Sequence, residues 1–185
     1  MKVSLSLKYS EDNNLLLNLI KKQPGIELAE LSEMPEGTTV ITNGPLTELA
    51  GLLLRDFTVK NRIERILLVG GTDAYGDVTV RAERNIYDDP QSAQHVFLSG
   101  IPIVMFGLNV TEQLENRALA PLVYLLKPEI FDTEECGVFV ETQGRITYGA
   151  TVTDLYSDKQ FPDHYVQLVK AIDLNEYEMV LETLI

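Results

Sequence analysis

The chain has little with which to bind soft metals or cross-link itself: one cysteine, Cys136, and two histidines, His95 and His164. A lone thiol forms no internal disulfide, which fits a reducing compartment and predicts a cytoplasmic protein. So few soft ligands also argue against a structural zinc site. Long apolar runs are missing too, since no stretch reaches the roughly 18 uninterrupted apolar residues of a membrane helix. The N-terminus mixes Lys2, Lys8, Glu11 and Asp12 into its apolar residues, so neither a signal peptide nor a membrane anchor is expected. Cations are scarce: 15 Lys and Arg face 28 Asp and Glu, a net charge of -13, with no basic run. A broad negative field repels phosphates, which argues against nucleic acid and anionic membranes as partners.

What is present points to a packed protein. The chain is 45% hydrophobic and 23% charged, without excess glycine or proline, so it is globular rather than disordered. A length of 185 residues suits one domain over 1–185.

Val3 to Leu7 reads as a strand, and Leu15 to Ile20 as part of a helix. A short apolar segment, Ile26 to Leu31, precedes the turn-rich Ser32 to Gly37 and the β-branched strand Thr38 to Thr42. Pro45 to Leu54 carries leucines at helical spacing behind a proline suited to a first turn. Ile66 to Val69 is a buried strand stopped by Gly70-Gly71, and Asp89-Pro90 signals a helix through Phe97 that ends at Ser99-Gly100. Ile101 to Phe106 is again an apolar strand. Leu114 to Leu126 reads as a helix in which Pro121 predicts a kink or a late start. Val138 to Glu141 and Arg145 to Thr147, flanking Thr142-Gln143-Gly144, predict a β-hairpin. The tail, Asp163 to Ile185, reads as helical and packed across the sheet. Strands apolar on both faces that alternate with amphipathic helices define an α/β fold with an open, mostly parallel sheet flanked by helices.

In such sheets ligands bind beyond the carboxyl ends of the strands. The loop from Gly70 to Asn85 is the most informative, because it follows a strand and offers Asp73, Asp77, Glu83 and Asn85. Carboxylates and an amide suit the hydroxyls of a sugar, although the same residue types also serve as solvated turn residues. Gly70-Gly71 lacks the further glycines of a dinucleotide or P-loop fingerprint.

At these loops the sequence resembles the inosine-uridine-preferring nucleoside hydrolases. The similarity lies in Val40 to Ala50 (VITNGPLTELA), in Val69 to Gln113 with its VGGTDAYGD and AERNIYDDP segments, in Leu125 to Phe131 (LLKPEIF) and in Val140 to Leu155 (VETQGRITYGATVTDL). The resemblance implies a nucleoside-hydrolase-like fold and places Asp12, Glu83 and Asn85 on residues that hydrogen-bond ribose hydroxyls, with Asp77 replacing an asparagine of the same shell.

The family's N-terminal D-x-D-P-G-x-D-D motif has its best counterpart in Ser6-Leu7-Lys8-Tyr9-Ser10-Glu11-Asp12-Asn13. There the second and fourth acids bind calcium, together with a backbone carbonyl just before the GPLTN block and an aspartate at a later helix start. This chain has Ser6 at the first position, Lys8 and Asn13 at the two ligand positions, Asn43 at the carbonyl and Ala118 or Asn116 at the later aspartate. The segment from Leu31 to Thr38 is also far shorter than in the family. Calcium needs roughly six to eight oxygen ligands with negative charge among them, so the expectation is no bound cofactor. Lys8 is either a surface lysine at a strand end or a stand-in for the ion, paired with Asp12 or Glu83.

Two functions follow as expectations. One is a non-catalytic member that binds a nucleoside, another ribose-containing small molecule or a protein. The other is a working N-ribohydrolase whose acid and base come from Asp12, Asp73, Asp77 and Glu83. Because the family's members are commonly oligomers, the resemblance also implies a homo-oligomer.

Overall fold

The computed structural model describes residues 1–7, 10–155 and 165–184 of the chain. Strands β1 (Lys2–Leu7), β2 (Glu27–Ala29), β3 (Thr38–Asn43), β4 (Ile63–Val69), β5 (Ile103–Phe106), β6 (Phe131–Val140), β7 (Thr151–Asp154) and β8 (Tyr165–Ile172) form one sheet in the order β2-β1-β3-β4-β5-β8-β6-β7. Neighbours from β2 through β8 run parallel, whereas β6 is antiparallel to both β8 and β7.

The period of two in the strands explains the layers. Val40, Ile66, Leu68, Met105 and Leu168 point to one face, where they meet Leu49, Ala50 and Leu53 of α2 (Thr47–Arg55) and Ala93, Val96 and Phe97 of α4 (Pro90–Phe97). Val3, Ile41, Leu67, Val69, Phe106 and Val169 point to the other, against α1 (Glu11–Lys22), α6 (Ala120–Leu126) and α7 (Leu174–Leu184). Both faces are apolar because both are covered, as parallel sheets require. Two short helices, α3 (Arg84–Tyr87) and α5 (Leu108–Thr111), lie at the sheet's carboxyl edge. Among the described residues no helix is long and apolar enough to cross a membrane.

Three expectations meet the structure at particular residues. The helix around Leu114 to Leu126 starts late, as Pro121 requires: a 3-10 turn, Arg117–Leu119, leads into α6, with the proline in its first turn where no N–H is needed. The hairpin is present, but its second strand is β7, Thr151–Asp154, and not Arg145 to Thr147. Gln143 and Gly144 donate their N–H groups to the Glu141 carboxylate at 2.8 and 2.9 Å, so the chain turns for longer than the Gln143-Gly144 signal suggests. Within the described part of the tail only Leu174–Leu184 is helical; Tyr165–Ile172 form β8, which inserts between β5 and β6, and Asp163, His164 and Ile185 lie outside the described residues. Val166, Val169 and Ile172 are β-branched and serve both sheet faces, so burial and β-branching outweigh the helical period of the segment that follows.

Candidate functional site

The carboxyl ends of β1, β3, β4 and β5 open into the loops that carry the polar residues. After β4, Gly71 adopts φ +71°, and a Cβ there would lie 2.5 Å from Met105 Cε and 3.1 Å from Thr151 Cγ2. Glycine is therefore required for the loop to leave the sheet so close to β5 and β7. The loop is then held at several points. Thr72 donates its N–H to Thr151 Oγ1 at 2.9 Å, the Thr151 hydroxyl donates to Thr72 O at 2.6 Å, and Ala82 bridges Ala150.

Glu83 closes the loop as N-cap of α3 and is buried. Its Oε2 accepts the N–H groups of Gly71, Asn85 and Ile86 at 3.0, 2.9 and 3.3 Å. Arg117 Nη1 stands 3.2 Å from Oε1, an ion pair rather than an aligned hydrogen bond, and 4.0 Å from Asp77 Oδ2. Burial pushes the Glu83 carboxyl above the usual glutamate range. The Arg117 charge and the Gly71 and Ile86 N–H groups pull it down, and Asp77 raises it further. Asp77 Oδ1 meanwhile accepts the Arg84 N–H at 2.8 Å.

Below this pair lies a ladder of buried amides. Asn13, in the first turn of α1, donates from Nδ2 to the backbone carbonyl of Asn43 at 3.1 Å and accepts Asn43 Nδ2 on its own Oδ1 at 2.8 Å. Asn85 Nδ2 donates to Asn43 Oδ1 at 3.2 Å and to Val69 O at 2.9 Å. The ladder ties α1 and the ends of β3 and β4 to α3. On the exposed side, Asn116 caps the 3-10 turn by accepting the Ala118 N–H at 3.0 Å, and its Nδ2 donates to Asp12 Oδ1 at 3.2 Å.

The structure thus brings together Asp12, Asn13, Asn43, Asp77, Glu83, Asn85 and Asn116, which the sequence had placed at the site. Ala118 is fully buried beside them and offers only a backbone N–H to Asn116. Ser6 points elsewhere, its hydroxyl 3.4 Å from Glu48 on α2. Lys8 lies outside the described residues, and with it the pairing suggested for it; among the described residues Glu83 faces Arg117, and Asp12 accepts from Asn116. Asp73 is engaged by Lys170 of β8 at 2.5 Å. Sequence reasoning missed Arg117 and Lys170. Arg117 had a signal, being a cation beside Asn116 in an acidic chain. Lys170 had none, because its segment read as helix.

Among the described residues, no group of three or more His, Cys, Asp and Glu side chains converges as a metal site. The Asn43 carbonyl accepts the Asn13 amide hydrogen, and no acid stands at positions 13, 43 or 116.

An α/β sheet with its polar site at the carboxyl edge is the architecture of the nucleoside hydrolases, and comparison with known proteins makes the assignment. Residues 13–122 match the model of the inosine-uridine preferring nucleoside hydrolases, and the chain belongs to that family. It is 36% identical over 169 residues to the pyrimidine-specific ribonucleoside hydrolase RihA of Shewanella oneidensis, an alignment that takes in 69% of this chain and 53% of that one. It is 33% identical over 183 residues to the non-specific ribonucleoside hydrolase RihC of Salmonella schwarzengrund, with 80% of this chain and 60% of that one covered. The chain spans about half the length of the curated relatives it matches. Among solved structures, a plant nucleoside hydrolase, the PpNRh1 enzyme, superposes with a TM-score of 0.87 at 17% identity, over 99% of this chain and 98% of that one. That likeness speaks for the fold.

Proposed function

We propose that this family member does not hydrolyse nucleosides through a bound calcium ion, and that it uses the sheet's carboxyl edge to bind a nucleoside or another ribose-containing small molecule. The observation that carries this reading is the Asn13 amide seated on the Asn43 carbonyl at 3.1 Å. A divalent ion requires oxygen lone pairs turned toward it, with formal negative charge among them to offset its dehydration. Here an N–H points at the one backbone oxygen that the family resemblance assigns to the ion. The Asn13 oxygen is turned to another amide, and the guanidinium of Arg117 stands beside Glu83. This donor set does not fit calcium.

The same geometry leaves little for acid–base work. A general base needs a lone pair within reach of the attacking water. Glu83 spends Oε2 on three N–H groups and faces Arg117 with Oε1, so it acts as a cap and a counter-charge. Asp12 gives one oxygen to Asn116, Asp77 gives Oδ1 to the Arg84 N–H and faces Arg117 with Oδ2, and both stand nearer solvent. Exposed carboxylates at this edge suit sugar hydroxyls as hydrogen-bond donors, which supports ribose recognition without bond cleavage.

Incubating the purified protein with inosine and with uridine, with calcium or with chelator, and separating the products by chromatography tests this. The expected result is no hypoxanthine or uracil above the buffer blank. Turnover that the chelator abolishes contradicts it. The second reading, an active N-ribohydrolase with a non-standard site, draws on the hydrolase names of the relatives. It requires chelator-resistant turnover that Glu83→Gln or Asp12→Asn removes without unfolding the chain.

A further inference from the structure

Glu83 presents an electrostatic problem that the fold must solve. Its side chain is 0% exposed and sits against Asp77, so an ionised carboxylate there needs a counter-charge. Among the described residues the facing charged groups are Asp77, in the same loop, and Arg117, which arrives from the 3-10 turn ahead of α6. Arg84, next in sequence, pairs with Asp88 at 3.5 Å. Arg117 is held in place by its own turn, which Asn116 caps while also bonding Asp12 on α1. One guanidinium therefore reaches Asp77 and Glu83 from an element fixed to α1, while the loop's other acid, Asp73, is held by Lys170.

We propose that Arg117 is a tethered counter-ion for the ligand site: a positioning residue that balances Glu83 and Asp77 and holds their loop at the sheet's carboxyl edge without a divalent ion. This deepens the metal-free reading above. Arginine suits the role because its charge persists at every physiological pH and its planar fork can face two carboxylates. A soluble ion must be recruited; this one is part of the chain.

The sign of the pH dependence separates charge balance from mere packing. Glu83 titrates above its ordinary value of 4.5, so its charged form opposes folding, and stability from this group falls as pH rises through that window. Removing Arg117 removes the largest influence that lowers this carboxyl, so the window extends upward. The variant's deficit is then greatest near neutral pH and shrinks as Glu83 takes up a proton.

Thermal denaturation in chelator-containing buffer reads this directly for the parent, Arg117→Gln, Arg117→Lys and the double variant Glu83→Gln/Arg117→Gln. Near neutral pH the expected Tm of Arg117→Gln is lower by roughly 5–10 °C, and the deficit is smaller by about pH 5. Arg117→Lys retains most of the parent Tm, and the double variant recovers most of the loss, since a neutral amide needs no counter-charge. An Arg117→Gln protein within about 1 °C of the parent, or with the same deficit at both pH values, overturns the proposal. If Arg117→Gln does not fold, a folded double variant supports it and an unfolded one overturns it. Chelator-sensitive turnover of uridine by the parent would instead sink the metal-free reading alone, because these melts report charge balance and not chemistry.

Discussion

Replacing Phe106 with alanine is expected to lower stability by about 3–5 kcal/mol, measured by urea denaturation with an unchanged slope. Phe106 ends β5, is fully buried, and its ring meets Tyr124 at 5.5 Å and Phe131 at 5.7 Å, both edge to face. Phe131 continues the chain of rings to Tyr177 of α7 at 6.3 Å. This cluster fixes α6 and α7 against the sheet, and α6 follows directly on the turn that presents Arg117. Removing the ring costs transfer energy and leaves a cavity between β5, α6 and β6, so collapse is incomplete. A loss under about 1 kcal/mol would show that the aromatic cluster does not anchor the site's scaffold.

Asn43→Leu should cost about 2–4 kcal/mol, although leucine has the same branched outline and greater hydrophobicity. The substitution keeps the backbone carbonyl that accepts Asn13 Nδ2, but it removes the donor to Asn13 Oδ1 and the acceptor for Asn85 Nδ2. Two buried amides then lose partners with no water admitted to replace them. Any uridine-induced rise in Tm should vanish as well, since the ladder sets where α1 and α3 stand at the edge. A leucine variant as stable as the parent would mean that the ladder is decoration.

Much of this was legible from residues alone. The strands around Val40, Leu67 and Val104 show themselves because both faces are buried, and the Asp89-Pro90 signal marks α4 through a side-chain cap, Asp89 Oδ1 accepting the Ser92 N–H at 3.1 Å. The polar loop was found for a physical reason, since strand ends in parallel sheets leave backbone and side chains free for ligands. β8 was misread because its polar residues, Gln167 and Lys170, stand three apart and so continue the helical period of the segment that follows. The site's composition was visible, but its wiring was not. That Asn13 turns its amide nitrogen toward Asn43, or that Arg117 reaches Glu83 across 34 positions of sequence, depends on packing between distant elements.

A carboxyl edge satisfied by its own amides and by Arg117 has no place for a divalent ion. Calorimetric titration with calcium, up to about 1 mM, tests this most directly. The prediction is heat no greater than dilution and an unchanged melting curve. Saturable uptake of one ion per chain, lost when Asp12 or Glu83 is neutralised, would contradict it.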